Sequence, residues 1–338
     1  MGQGRSRIIR ASVVLVVLML AAAVPLERWG TRWTVPQAIA PAASYVLQAT
    51  WDGATLPGGP LERPIGIAVA PSGDVYVTDA LLRVARFDPS GAALGQWGGE
   101  GAGPGEFGNP IGVAVGPDGA VYVSDYEQDR VQTFDATGEF LAEFGRPGSG
   151  PGEFNAPAGL AVDEAGHIYV TDFYNHRVQK FRPDGSFEVA VGHPGRLGPG
   201  ALHYPTGVAV TPGGEVLVAD AYNYQVQWFD RDGQPRRRIG YHLLWIWPRP
   251  VASAAGFFAP TDAGAGRDGV IHVADSGNHR IVMLSADGEY VTEWRVPDAD
   301  PSVFSPEHLA VSADGATVYA TDLGKGRVLV LRVNAPAR

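Results

Sequence analysis

One sequence phrase recurs six times along this chain of 338 residues, and no other feature constrains the fold as strongly. Two clear copies are VYVSDYEQDRVQTFDATGEF (121–140) and IYVTDFYNHRVQKFRPDGSF (168–187). Each copy has an aspartate at the same place, and successive aspartates are 46, 47, 48, 55 and 47 residues apart. These residues are Asp79, Asp125, Asp172, Asp220, Asp275 and Asp322. A repeat of this length that contains several short β-type segments predicts a β-propeller with one blade per repeat.

Each copy reads as four short strands, here called a to d. In the second copy they are IGVAV (111–115), VYVSD (121–125), RVQTF (130–134) and FLAEF (140–144), and Gly-containing turns follow the first and the third. Strands a and b are apolar at nearly every position, which a sheet packed between two neighbouring sheets requires. The tight turns between the segments indicate an antiparallel order within each blade.

The two ends of the repeat region predict a closed ring. The sixth copy stops after its strand c, RVLVLRV (327–333), and its missing strand is predicted to be YVLQATW (45–51), which precedes the first copy. Closing the ring in this way removes an exposed sheet edge. The predicted fold class is therefore all-β. It is a six-bladed β-propeller of four-stranded antiparallel blades, closed by an N-terminal strand and covering residues 45–338.

The third copy carries a recognisable family motif. Residues 157–181 contain PAGLAV, IYVTD and NHRVQKF, and the Asn-His-Arg triplet returns at 278–280. These copies resemble NHL repeats, whose pattern is Pro-x-Gly-Val-Ala-Val, Val-Tyr-Val-Thr-Asp and Asn-His-Arg-Val-Gln-x-Phe. The resemblance covers about residues 45–334 and says more about fold than about activity. The family includes protein- and RNA-binding modules, extracellular sensor domains and a few metal-dependent enzymes such as the peptide α-amidating lyase.

The N-terminus predicts export. Three arginines precede an apolar run, 11–24, whose end offers small residues suited to cleavage, as in a secretory signal. The run is short for a bilayer span of about 20 residues, but Ile8 and Ile9 extend it, so a membrane anchor remains open. We expect residues 1–24 to be a signal peptide or anchor and residues 25–44 a linker. The propeller is then extracytoplasmic, either secreted or held at the membrane by the N-terminal segment alone.

Composition disfavours several kinds of site. The chain has no cysteine, which excludes disulfides, thiolate metal sites and cysteine nucleophiles. Its formal net charge is −10, and the only basic tract is 236–238. Nucleic-acid binding is not expected, because such a surface repels phosphate. No HExxH, GxSxG or P-loop motif occurs.

Residues that recur in every copy are interpreted as scaffold. Each repeated aspartate begins a turn, where its carboxylate can accept backbone N–H bonds. Arginines recur in phase with it, and Gln225 interrupts their series. His176 and His279 belong to the recurrent triplet and receive the same interpretation. His272 replaces a tyrosine found in four other copies, so we interpret it as a packed ring rather than a ligand.

Functional residues are sought where the copies differ, and the first difference lies in strand a. One position holds glycine in the first four copies, whereas the fifth and sixth copies have Asp262 and His308. Glycine there suits a close backbone approach near the axis, so both replacements are predicted to lie near the central channel. The pair supports an alternative function as a metal-assisted lyase or hydrolase, or as a base oriented by a carboxylate.

Zinc or calcium in the channel is the corresponding alternative cofactor. The resemblance to the α-amidating lyase implies zinc held by three histidines from the inner strands of alternate blades. Here the alternate positions give two glycines with His308, or two glycines with Asp262. Neither set supplies the three protein ligands of a typical catalytic zinc site. The main expectation is therefore no cofactor, and a binding protein rather than an enzyme.

The second difference lies at one face of the predicted disc. In a four-stranded meander the b–c turns and the d–a loops share one face. The aromatic residues of the b–c turns in copies two to four, and of the long loop before copy five, are Tyr126, Phe173, Tyr174, Tyr222, Tyr224, Trp245 and Trp247. We expect them to form an aromatic groove for a protein, a peptide or a glycan. A loop folded over a blade edge is the alternative for the two tryptophans.

Overall fold

The computed structural model describes residues 43–240, 256–297 and 304–334, together with the backbone of two short strands between 242 and 249. The predicted leader, most of the predicted linker and Trp245 lie outside the described residues. In the part of the chain that is described, no helix is long and apolar enough to cross a membrane.

Six four-stranded antiparallel sheets form the blades, with strands numbered β1 to β28 along the chain. The a strands are β2 (Ile67–Val69), β6 (Pro110–Val115), β10 (Pro157–Val162), β16 (Pro205–Val210), β22 (Pro260–Ala265) and β26 (Pro306–Val311). The b strands are β3 (Val75–Asp79), β7 (Val121–Asp125), β11 (Ile168–Asp172), β17 (Val216–Asp220), β23 (Ile271–Asp275) and β27 (Thr317–Asp322).

The outer half of each blade consists of strands c and d. The c strands are β4 (Arg83–Phe87), β8 (Arg130–Phe134), β12 (Arg177–Phe181), β18 (Gln225–Phe229), β24 (Arg280–Leu284) and β28 (Arg327–Asn334). The d strands are β5 (Ala93–Gly98), β9 (Phe140–Phe144), β13 (Phe187–Val191), β19 (Pro235–Gly240), β25 (Tyr290–Trp294) and, in blade 6, β1 (Ser44–Trp51).

Short elements occupy some of the connections. Strands β14 (His193–Pro194) and β15 (Ala201–Leu202) pair in parallel within the loop that leads to blade 4. Strands β20 (His242–Leu244) and β21 (Trp247–Arg249) form an antiparallel hairpin in the loop that leads to blade 5. The 3₁₀ turns that follow strand b are Phe173–Asn175, Ala221–Asn223 and Ser276–Asn278.

The ring closes as the sequence predicts. Each inner strand contacts the inner strand of the next blade, and β26 of blade 6 contacts β2 of blade 1. Strand β1 pairs antiparallel with β28, so the N-terminal strand completes blade 6. Its Tyr45 hydroxyl lies 2.6 Å from Nδ1 of His272 in blade 5, and both rings are buried. His272 is thus a packed ring, as expected.

The core consists of the interfaces between blades. Each apolar cluster draws side chains from two neighbours; Tyr76 and Val84 of blade 1, for example, pack with Val113 and Phe134 of blade 2. Every b strand is buried along most or all of its length, which explains its unbroken apolar pattern. The ring is therefore held together by side chains that face sideways, and the two ends of the blades are left for turns and loops.

The strand-a glycines sit where neighbouring blades come closest. A Cβ added to Gly112 would lie 2.2 Å from the carbonyl oxygen of Ala158 in the next blade, a distance that real Cβ atoms do not show. The backbone N–H of Gly112 donates to Ser124 Oγ, and that hydroxyl donates to the same carbonyl oxygen at 2.6 Å. Glycine and a short hydroxyl side chain together form the contact between these two blades near the axis.

The repeated aspartate braces the turn after strand b. In blade 3 the fully buried Asp172 accepts hydrogen bonds from the Asn155 N–H, from the Asn175 amide and from Arg177 Nε, at 2.8, 3.0 and 2.8 Å. In blade 4 the amide of Gln225 takes the place of the arginine and donates to Asp220 at 2.8 Å. These contacts agree with the scaffold interpretation of both residue series.

Candidate functional site

The candidate site lies on the face where the b–c turns meet the d–a loops. In each of blades 2 to 6 the proline that begins strand a pairs with the aspartate that ends strand b, as Pro157 does with Asp172. Because these two residues are opposite each other, the turn after the aspartate and the loop before the proline emerge at the same end of the blade. All the predicted aromatic turns therefore share one face.

The aromatic turns of blades 2 and 3 are in ring contact. The ring centroid of Tyr126 lies 6.1 Å from that of Phe173 and 6.2 Å from that of Tyr174. Phe173 and Tyr174 meet edge to face at 5.0 Å. Tyr174 is 44% exposed, so the group is open to solvent.

Tyr204 extends this group to blade 4. It belongs to the loop before β16, and its ring lies 5.0 Å from Phe173 and 4.9 Å from Tyr222. We call Tyr126, Phe173, Tyr174, Tyr204 and Tyr222 the aromatic cluster. The sequence analysis named the other four residues but missed Tyr204, because it sought aromatic residues in the b–c turns and not at the position directly before the strand-a proline.

The remaining predicted aromatic residues do not join the aromatic cluster through described ring contacts. Tyr224 instead stacks on Phe258, with centroids 5.5 Å apart and an interplanar angle of 10°. Trp247 begins the second strand of the β20–β21 hairpin, but its side chain lies outside the description, as does all of Trp245. Their place in the predicted groove remains a prediction.

The tyrosine hydroxyls influence one another. Burial raises the pKa of Tyr126 far above its usual range, and the nearby hydroxyls of Tyr174 and Tyr222 raise it further. Burial also raises the pKa of Tyr222, with Tyr204, Tyr174 and Tyr224 adding to the effect. Tyr126 and Tyr222 thus keep neutral hydroxyls, and the hydroxyl groups of the cluster offer donors and acceptors beside apolar ring surface.

Two histidines support the cluster from the side. His176 adopts a left-handed backbone (φ 55°), and its Nδ1 accepts the Tyr204 N–H at 3.0 Å. His203 stacks on His176 with centroids 5.1 Å apart. Burial, with Arg196 and His176 nearby, lowers the pKa of His203 to about 4, so both rings are neutral near pH 7. They hold Tyr204 in place; the sequence analysis assigned His176 to the scaffold and did not single out His203.

Six equivalent residues, one per blade, lie where the inner strands begin, at the mouth of the channel on this face. Each directly follows the proline that recurs at the start of every copy. The six residues are Ile65, Ile111, Ala158, Thr206, Thr261 and Glu307. We call them the mouth ring. It is apolar in blades 1 to 3 and polar in blades 4 to 6, and Glu307 is its one ionisable member.

Glu307 contacts residues from two blades. Its Oε1 accepts a hydrogen bond from Ser305 Oγ at 2.9 Å and lies 3.5 Å from Ser276 Oγ in the turn of blade 5. Burial raises the pKa of the Glu307 carboxyl to about 7, an effect that the two serines and Arg63 reduce. The sequence analysis missed this residue. Aligning the six copies at the residue after the proline would have shown it as the one charged side chain.

Asp262 and His308 are the next residues along strand a of blades 5 and 6, directly after Thr261 and Glu307. Their Oδ2 and Nδ1 atoms are 3.7 Å apart, and both side chains are buried. Asp262 Oδ2 accepts the Leu309 N–H at 2.9 Å, which joins blade 5 to blade 6. Burial raises the pKa of Asp262 to about 7 and lowers that of His308 to about 4. Near neutral pH the histidine is therefore uncharged.

Metal binding receives little support from the donor set. Asp262 and His308 supply two ligands, whereas a catalytic zinc usually takes three from the protein. Among the described residues no group of three or more histidine, aspartate or glutamate side chains is arranged to hold an ion. The residues present at the strand-a position do not fit a three-ligand zinc site.

Comparison with known families bears on the same three blades. The family model for the NHL repeat matches residues 107–134, 154–181 and 202–229, which include strands b and c of blades 2, 3 and 4. The chain is a six-bladed β-propeller that contains NHL repeats. The matched repeats are those whose turns carry the aromatic cluster. A comparison with curated proteins gave no match.

Several solved structures share this propeller fold. A streptogramin B lyase is 16% identical, with a TM-score of 0.59, and the match covers 86% of this chain and 98% of that one. Virginiamycin B lyase from Staphylococcus aureus is 15% identical, with a TM-score of 0.57 and coverage of 86% and 99%. A gluconolactonase from Xanthomonas campestris is 16% identical, with a TM-score of 0.59 and coverage of 86% and 90%. Identities this low establish a common fold alone.

Proposed function

We propose that this propeller is an exported recognition module that binds a peptide on the face bearing the aromatic cluster. One observation supports this above all: aromatic turns from three successive blades meet in a single set of ring contacts beside the channel mouth. Aromatic side chains on a rigid frame contribute contact area at low entropic cost, and they are enriched where binding energy concentrates. The remaining blades supply the rigid ring that holds them.

The geometry favours a peptide over a glycan. A sugar ring stacks on a broad, exposed aromatic face, whereas the rings here meet edge to face or tilted and cover one another. Of the five, only Tyr174 is largely exposed. Apolar crevices between tilted rings, edged by hydroxyl groups, fit a side chain and its flanking backbone amides better than a flat sugar.

A peptide array tests this proposal. The purified propeller, residues 43–338, is applied to an array of random 12-residue peptides and, in parallel, to a glycan array. We expect peptide binding that falls at least tenfold in a Phe173→Ala/Tyr174→Ala variant, because the apolar contact surface is lost. Leu141→Ala is the matched control, since Leu141 is 56% exposed on the outer strand β9 of blade 2.

Two outcomes would contradict the proposal. Binding that is confined to the glycan array would replace the peptide by a carbohydrate. Peptide binding that both variants retain would move the site away from the aromatic cluster. Thermal unfolding of each variant shows whether a loss of binding reflects the face itself or a failure to fold.

A second candidate function is acid–base catalysis in the channel. The observation that favours it is the buried Asp262–His308 pair, in which a neutral imidazole lies beside a carboxyl group. The lyase and gluconolactonase structures of similar fold are consistent with an enzymatic use of such a ring. His308 would accept a proton from substrate or water, and Asp262 would orient the ring.

A hydrolysis screen tests the second candidate. We expect the propeller to cleave at least one member of a panel of lactones and aryl esters, assayed with and without added zinc or calcium. His308→Gln should lower that rate at least a hundredfold, in line with the usual contribution of a general base. The recognition-face variant Phe173→Ala/Tyr174→Ala serves as the folded control. Rates that match the His308→Gln background for every compound would rule this function out for those substrate classes.

A further inference from the structure

We infer that the ligand presents a cationic group next to an apolar group, so that the cation meets Glu307 and the apolar group meets Tyr126 and Phe173 across the channel mouth. In peptide terms, the site takes a lysine or arginine beside an apolar residue. This inference rests on the proposed peptide-binding function and specifies the ligand class of the same face.

The repeat itself places the three residues on one rim. Ser276 is the first residue after strand b of blade 5, and its Oγ reaches Glu307 in the mouth ring of the next blade at 3.5 Å. Tyr126 and Phe173 are the first residues after strand b of blades 2 and 3. Equivalent positions in a ring of like blades lie at equivalent radii. Tyr126 and Phe173 therefore lie above the mouth ring in blades 2 and 3, on the side of the channel opposite to Ser276 and Glu307 in blades 5 and 6.

Their backbone contacts support this equivalence. The Tyr126 N–H donates to the carbonyl oxygen of Asn109, which is followed by the first proline of blade 2. The Phe173 N–H donates in the same way to Ala156, immediately before Pro157. Each aromatic residue is thus pinned to the start of its own inner strand, beside the channel.

The mouth ring has an apolar half below the aromatic turns and a polar half on the opposite side, where Glu307 lies. Ile65, Ile111 and Ala158 form its apolar half. In the polar half, the hydroxyls of Thr206 and Thr261 already donate to backbone carbonyls of the next blade, at 3.4 and 3.0 Å. Glu307 is then the polar member that remains for a ligand, and it is the one that carries charge.

Glu307 retains binding capacity. Both serine contacts fall on Oε1, and within the described residues no hydrogen bond reaches Oε2. The neighbouring His308 is only 9% exposed, and its ring has no hydrogen bond there beyond the 3.7 Å approach to Asp262. A carboxylate with an open acceptor oxygen gains from a cation that completes its contacts.

Charge complementarity points the same way. The chain carries a formal net charge of −10, and the carboxyl of Asp129 accepts the Ala156 N–H at 2.7 Å between the aromatic turns of blades 2 and 3. Arg63 acts on Glu307 from the loop before blade 1, but no hydrogen bond joins the two side chains. Aromatic rings on a negatively charged protein attract ammonium and guanidinium groups both by charge and through the ring faces.

Four capped, fluorescein-labelled peptides test the inference: Gly-Ser-Phe-Lys-Ser-Gly and its counterparts with arginine, glutamine or glutamate in place of lysine. Fluorescence anisotropy gives the affinity of each. We expect the lysine and arginine peptides to bind at least tenfold more tightly than the glutamine peptide. Glu307→Gln should reduce that preference to about twofold or less, because the side chain keeps its size but loses its charge.

The pH dependence provides an independent measurement. The cation requires an ionised carboxylate, so the affinity for the lysine peptide should rise between pH 6 and pH 8 as Glu307, whose pKa is about 7, loses its proton. Asp262, with a pKa also about 7, titrates in the same window, whereas His308, with a pKa of about 4, does not change charge there. The rise should persist in Asp262→Asn and disappear in Glu307→Gln.

The outcomes separate the inference from the function on which it rests. If all four peptides bind equally, or if Glu307→Gln keeps the preference for lysine, the cation inference is wrong while peptide recognition stands. If none of the four binds and the random array is also blank, the proposed function itself fails. Phe173→Ala should weaken all four peptides together, since it removes apolar contact and leaves the charge in place.

Discussion

Gly112→Ala is expected to lower the free energy of unfolding by about 3 kcal/mol or more, and urea unfolding measures the change. The added Cβ would lie 2.2 Å from the Ala158 carbonyl oxygen, 3.0 Å from Ser124 Oγ and 3.1 Å from the Leu160 N–H. Two of these three atoms belong to the backbone of the next blade, so no side chain can turn aside to make room. In a closed ring, moving one blade outward also disturbs its contacts with both neighbours.

Gly95→Ala is the matched control for this prediction. Gly95 lies on the outer strand β5, has no atom within 4 Å of an added Cβ and does not have a positive φ. There the substitution should be neutral or stabilise by about 0.5 kcal/mol, because alanine reduces the freedom of the unfolded chain. Equal losses in the two variants would show that the close approach of blades at Gly112 does not hold the ring together.

Asp172→Ala is expected to cost about 3 to 5 kcal/mol of unfolding free energy. The change removes the acceptor for Arg177 Nε, for the Asn175 amide and for the Asn155 N–H, all within a turn where the aspartate is fully buried. Arg177 would then keep its charge with only the carbonyl oxygens of Gly150 and Glu153 as partners. Urea unfolding again provides the measurement.

Removing both partners separates the two causes of that loss. In an Asp172→Ala/Arg177→Met variant no uncompensated charge is left, so we expect it to recover at least 1 kcal/mol relative to the single variant. A single variant that loses less than 1 kcal/mol would instead argue that the recurrent aspartate has a role outside the scaffold. Because the turn carries Phe173 and Tyr174, peptide binding should weaken in the single variant along with stability.

The spacing of the repeats carried most of the information about the fold. A period near 47 residues with four apolar segments allows one blade per copy, and the incomplete sixth copy required a strand from before the first. The glycines of strand a, the aspartates and the arginines could be assigned to the scaffold because they recur in phase. Recurrence identifies scaffold residues here because every blade packs between two blades of the same kind and therefore needs the same contacts.

Comparison of the repeats predicted only some of the residues of the candidate site. Tyr126, Phe173, Tyr174 and Tyr222 were predicted to share a face, and their rings do meet on it. Tyr204 escaped notice because this position, directly before the strand-a proline, is aromatic in one copy alone, although its ring joins blade 3 to blade 4. Asp262 and His308 were predicted to approach each other, and their side-chain atoms are 3.7 Å apart.

The order of residues along this chain is sufficient to specify six blades, their strand order and the face that carries the aromatic turns. Those properties follow from local patterns that repeat, so that an assignment made in a clear copy also applies to the less regular ones. The tertiary structure decided what the irregular residues touch, such as the seating of Tyr204 between two turns and the approach of Ser276 to Glu307. The physical reason is that these contacts join different blades, and their geometry depends on how closely the blades pack around the ring rather than on spacing along the chain.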